Sequence, residues 1–200
     1  MAVDFDEAKV RRNETGMWLG WTLATAVGLI LGYLPAALFV NEIELGIARV
    51  IVPLLAGLFI GLAQWLVLRQ YLTRSGDWVF NLTASWVVGY AVGLFIVDLL
   101  AGSFVGLIIS FIIFGVIVAL FQWPVLKREI PQILPWILAN VVGWALGALL
   151  AQLVVAGLFS ENPGSLLATT LVNSAVTGLI AGAVTGLALV RIVRLPERPL

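Results

Sequence analysis

Within the apolar stretches of this 200-residue sequence, the side chains able to do chemistry are amides and hydroxyls: Gln64, Asn81, Gln122, Asn140, Gln152, Asn173, Thr177 and Thr185. Three of them share one place in a recurring pattern, which reads Gly57xxxGly61xxGln64, Gly115xxxAla119xxGln122 and Gly178xxxGly182xxThr185. Gln64, Gln122 and Thr185 would form a polar ring that lines a solute site. The plainer reading is that they tie helices together, at about 0.6 kcal/mol each on average in membrane proteins. It is preferred, because the third member is only a threonine. Carboxylates, lysines and histidines inside a membrane mark proton relays and ion-coupled transport. None lies well inside these stretches, which argues against a proton-driven pump and removes any general acid–base pair there.

The chain has no histidine and no cysteine, so imidazole and thiolate chemistry are both excluded. No phosphate-binding loop, HExxH, GxSxG or EF-hand pattern occurs. The expectation is a protein without catalytic residues, metal site or cofactor, and not an enzyme. Asn81 and Thr83 match a glycosylation sequon, but they fall inside an apolar stretch, where the match is accidental.

The elements that must carry these residues follow from composition. The chain is 62% hydrophobic and 11% charged, against about half and about a quarter in soluble domains. A helix needs roughly 20 apolar residues to cross a hydrocarbon core of about 30 Å. Six stretches reach that length, at about 17–40, 50–68, 78–97, 103–126, 136–159 and 166–190. Between Trp78 and Leu126 the only charge is Asp98, and 49 residues are too many for one span, so Asp98–Ser103 must be a tight turn. The proline-marked segment 127–135 precedes the fifth span, and Ser160–Gly164 separates the fifth from the sixth. The first span is too long for the apolar core of a secretory signal and is expected to be retained.

Basic residues near span ends orient the chain. Lys9, Arg11, Arg12, Arg69, Arg74, Lys127, Arg128, Arg191, Arg194 and Arg198 fall on one side and Arg49 alone on the other, which places both termini in the cytoplasm. Eleven basic residues balance eleven acidic ones, so nothing suggests nucleic-acid binding. Trp18, Trp21, Trp65, Tyr71, Trp78, Trp123 and Trp136 gather toward the cytoplasmic span ends, as an interfacial aromatic belt would. A pigment or quinone site is the less favoured alternative for them.

Odd-numbered spans repeat as well. Trp21, Trp78 and Trp136 stand 57 and 58 residues apart. Each is followed at helical spacing by small residues: Gly28, Gly32 and Ala36; Ser85, Gly89 and Gly93; Gly143, Gly147 and Ala151. Residues four apart share a helix face, and small faces let helices approach closely in lipid. These positions, with Gly57, Gly61, Gly115, Gly178 and Gly182, are therefore expected to pack helices. The reading is an all-α integral membrane six-helix bundle, made of three repeated hairpins related by an axis along the membrane normal. Its parts are a cytoplasmic N-terminal segment (1–16), which would be a short surface helix or docking peg, and hairpins over 17–77, 78–135 and 136–200, the last with a short cytoplasmic tail.

The motif GxxxGxxQWxxLR, present over 57–69 and again in altered form over 115–127, resembles one in uncharacterised multi-pass proteins of cyanobacteria and green non-sulfur bacteria. The resemblance covers nearly the whole chain. It implies a bacterial inner or photosynthetic membrane and no assigned activity. Length and span number are also similar to those of the substrate-binding components of energy-coupling-factor vitamin transporters, which lack this repeat. Two functions are expected to compete. The first is a non-catalytic accessory or scaffold subunit that packs against a larger membrane complex, its partners being lipids, other integral membrane proteins or a second copy. The second is a small-solute transporter or substrate-binding component using Gln64, Gln122 and Thr185.

Overall fold

The computed structural model describes residues 3–39, 44–72, 75–127, 132–160 and 164–193, with side chains from residue 14 to residue 191 except Leu45. The basic side chains of residues 9, 11, 12, 74, 128, 194 and 198 lie outside the described set. Six α-helices run in chain order: α1 (Val3–Phe39), α2 (Leu45–Leu68), α3 (Trp78–Leu99), α4 (Phe104–Leu126), α5 (Leu134–Leu158) and α6 (Leu166–Val193). All six are long and apolar enough to cross a membrane. Their outer faces carry large apolar side chains all the way round, among them Leu23, Leu62, Phe80, Leu120, Leu138 and Leu187, each 40% or more exposed. A water-facing protein rarely exposes contiguous apolar patches beyond a few hundred Å². Lipid is the solvent that this surface suits.

The backbone of α1 is helical without a break from Val3 to Phe39, through most of the segment expected to be a short surface helix or docking peg. The turn at Asp98–Ser103 begins later than the sequence suggests. Asp98 is still helical, and α3 closes with the Gly102 amide bonded to the Val97 carbonyl (2.8 Å) and the Ala101 amide to the Asp98 carbonyl (3.1 Å). That pairing is a Schellman cap. Its left-handed position, φ +51°, is held by Ala101 rather than by glycine, at a steric cost of about 1–2 kcal/mol. Ser103 then caps α4 by accepting from the Gly106 amide at 3.1 Å.

Among the described residues, each helix packs against the helix before it and the helix after it, and α6 packs against α1. The result is a closed ring. Its seams are antiparallel and run where side chains are smallest. Gly28 and Gly32 sit on the backbone of Ile60 and Ala56 across α1–α2, while Gly57 and Gly61 face Thr83 and Val79 across α2–α3. Gly115 meets Val141 across α4–α5, and Gly143 and Gly147 meet Ala181 and Thr177 across α5–α6. Gly178 and Gly182 close the ring on Ala26 and Thr22 of α1.

The α3–α4 seam differs in kind: Gly89 faces the Phe114 ring rather than backbone, and Gly93 faces Ser110 at an ordinary contact distance. Of the remaining small positions, Ala151 and Ser85 are fully buried and Ala36 is half-buried. Ser85 bonds within its own helix, to the Leu82 carbonyl at 2.7 Å.

Two outcomes are expected. The chain has no native cysteine, so Gly76→Cys and Ser160→Cys, introduced singly, should react with an impermeant maleimide from opposite sides of the membrane. Labelling of both from one side in intact cells would overturn six crossings. A methyl on Gly178 would lie 2.5 Å from Ala26 Cα, whereas one on Gly157 meets nothing within 4 Å. Gly178→Ala should therefore lose about 1–3 kcal/mol of stability in detergent melts, and Gly157→Ala should stay within about 0.5 kcal/mol of the parent.

Candidate functional site

The interior of the ring has two different ends. At the end that carries the α2–α3 and α4–α5 connections it is filled. Trp78 and Trp136 are fully buried and Trp21 is 1% exposed. The Trp21 ring meets those of Trp78 and Trp136 edge-on, with centroids 5.6 and 6.4 Å apart. These three indoles are core, not the interfacial belt that their place near the span ends suggests. Trp18, Trp65, Tyr71 and Trp123 pack around them half-buried, and Arg69 lies 5.1 Å over the Trp65 ring.

The sequence-expected polar residues hold this plug together. Gln64 accepts from Trp78 Nε1 at 3.2 Å and donates to Thr25 Oγ1 at 2.9 Å. Gln122 accepts from Trp136 Nε1 at 3.0 Å. Thr185 accepts from Trp21 Nε1 at 3.0 Å and donates to the Ala181 carbonyl at 2.7 Å. Each residue on an even helix thus serves the indole of the next odd helix, the last bond joining α6 to α1. All three are 4% exposed or less, and no hydrogen bond links them to one another. The indoles that they hold pack on one another, with Trp21 against both Trp78 and Trp136.

The other end, toward the α3–α4 and α5–α6 turns, contains a cavity of about 280 Å³. Every helix except α2 contributes to its wall. Six lining side chains are aromatic, namely Tyr33, Trp86, Tyr90, Phe111, Phe114 and Trp144, and none is charged. Trp86, Phe114 and Trp144 contact one another edge-to-face with centroids 5.0–5.7 Å apart, and Tyr33 adds a fourth edge contact to Trp86 at 6.2 Å.

Hydrogen bonding in this wall is incomplete. Trp144 Nε1 donates to Asn140 Oδ1, one turn below it, at 3.3 Å, and Asn140 in turn donates to the Trp136 carbonyl at 3.0 Å. Trp86 has Leu82 at that place. Its Nε1 is buried without a partner, and so is Asn173 Oδ1 on the same cavity wall. An unpaired buried polar group costs about 1–3 kcal/mol. Thr177, also in the wall, reaches the Gly147 carbonyl only at 3.5 Å, and Gln152 is exposed at the rim. Asn81 is half-buried on α3, away from the wall.

Sequence reasoning missed Trp86 and Trp144. The signal was available, since they stand eight residues after Trp78 and Trp136, two turns along the same face. Among the described residues no three carboxylates come together. No family model, curated protein or solved structure matches the chain.

The plug predicts a coupling. Gln64→Leu strands the buried Trp78 N–H and should lose about 1–3 kcal/mol. Adding Trp78→Phe should cost less than the two single changes summed, with a coupling of about 1 kcal/mol in a double-mutant cycle. Strict additivity of melting free energies would show that the indole–amide bond contributes nothing.

Proposed function

We propose that the chain is a non-catalytic polytopic membrane protein, an accessory or scaffold subunit that packs against or stabilises a larger membrane complex. The observation that carries this reading is the division of labour between inside and outside. Gln64, Gln122 and Thr185 are engaged in the protein's own cohesion, while all six helices turn apolar side chains outward. Such a body has an interior tied by its own hydrogen bonds at one end and a surface suited to lipid and to other transmembrane helices.

Its architecture, in this reading, is three repeated hairpins about an axis along the membrane normal. The recurrence of one indole bond at Trp78–Gln64, Trp136–Gln122 and Trp21–Thr185 supports it. So does the alternation of seams, in which odd helices turn their glycines to the hairpin partner and Gly57, Gly115 and Gly178 turn to the next hairpin. The ten-to-one bias of basic residues supports cytoplasmic termini, and the QWxxLR resemblance supports a bacterial inner or photosynthetic membrane.

A second reading, a substrate-binding membrane component, is favoured by one observation: the aromatic cavity at the end opposite the tryptophan plug. In that reading the solute occupies the cavity rather than the amide ring, where Gln64, Gln122 Oε1 and Thr185 already bond to protein groups.

Photo-crosslinking amino acids at the exposed positions Leu23, Leu62, Phe80, Leu120, Leu138 and Leu187, one per helix, test the accessory role in native membranes. The expected result is one defined membrane protein captured from adjacent helices, with lipid adducts elsewhere. Lipid adducts alone at all six positions would overturn it.

A further inference from the structure

We infer that the aromatic cavity is a binding site for a small neutral aromatic alcohol, a ring compound whose hydroxyl answers the unpaired Trp86 Nε1 and Asn173 Oδ1. The inference rests on the second reading above, that the interior takes a solute, and adds where and of what chemistry. Size comes first. An apolar cavity of about 150 Å³ holds benzene, so about 280 Å³ accommodates on the order of eleven non-hydrogen atoms. Edge-to-face contacts among Trp86, Phe114 and Trp144 make a wall suited to a further aromatic ring. With no charged side chain in that wall, an ionic ligand would lose its hydration without gaining a counter-charge.

The polar requirement is specific. Trp86 is 4% exposed and needs an acceptor, while Asn173 Oδ1 needs a donor. A hydroxyl can accept from the one and can donate to the other. The contrast with Trp144, whose N–H is already held by Asn140, shows that this protein can satisfy an indole there from its own chain. At Trp86 a leucine stands where that amide would be.

The probe is 2-naphthol, neutral at pH 7 and of the right size, against 2-methylnaphthalene, which has the same rings and no hydroxyl. Calorimetric titration of the full chain in mild detergent, blanked against protein-free micelles, measures both. The expected result is saturable binding of 2-naphthol about tenfold tighter than of 2-methylnaphthalene. Trp86→Phe should remove about tenfold from 2-naphthol alone. Ala148→Phe, which fills the cavity from α5, should abolish saturable binding of both probes; binding unchanged in this variant would place the molecules elsewhere and overturn the site. Equal affinity for the two probes, unaffected by Trp86→Phe, would overturn the hydroxyl assignment while leaving a solute cavity standing. If neither probe binds saturably to a monodisperse, folded protein, the inference and the solute reading both fall.

Discussion

In hydrocarbon a helix gains nothing by hiding apolar side chains from its surroundings, so cohesion comes from contact close enough to beat lipid. Glycine seams supply that contact. At Gly28, Gly32, Gly115 and Gly178 a single added methyl would press within 2.6 Å of a neighbouring Cα. The backbones touch there, and larger side chains are displaced to the outer and inner faces of the ring. The outward set meets lipid. The inward set is as large as Trp21, Trp78 and Trp136.

Closure by narrow seams has a second effect, because six helices in a ring leave a central space that side chains must fill. At one end three indoles fill it, and their N–H groups find Gln64, Gln122 and Thr185 on the adjoining helices. At the other end the inward residues are unequal: Leu29 on α1 stands at the level of Trp86 on α3 and Trp144 on α5. The α3–α4 contact in which the Phe114 ring lies over Gly89 belongs to the same end. Unequal filling leaves the cavity, and the missing amide before Trp86 leaves its hydrogen bonding open.

Much of this was legible in the residues. Span limits follow from where charges stop, as at Arg69, Asp77 and Lys127. The spacing of Gly28, Gly32, Gly178 and Gly182 marks faces that do carry close contacts. The continuity of α1 back to Val3 was not legible, because hydropathy is silent about charged residues that remain helical. Nor was the burial of Trp21, since nearness to a span end looks the same for a belt and for a plug. The helical step from Trp21 to Thr25, whose hydroxyl receives Gln64, settles it only once the facing helix is known. The cavity was hidden for a different reason. It arises from what Leu29 and Leu82 lack relative to their counterparts, and absences have no periodicity.

The bond between Trp21 and Thr185 spans 164 positions of sequence, and that separation is also an interval of time. At about 5–20 residues per second of synthesis, on the order of ten to thirty seconds pass between the appearance of the indole and that of its acceptor. Until α6 is made, α1 can hold only one of its two seams, because Thr22 and Ala26 have no Gly182 and Gly178 to meet. The early helices therefore enter the bilayer as an open arc. The finished ring is a late event in the life of the chain, reached when α6 arrives beside a helix that was inserted first.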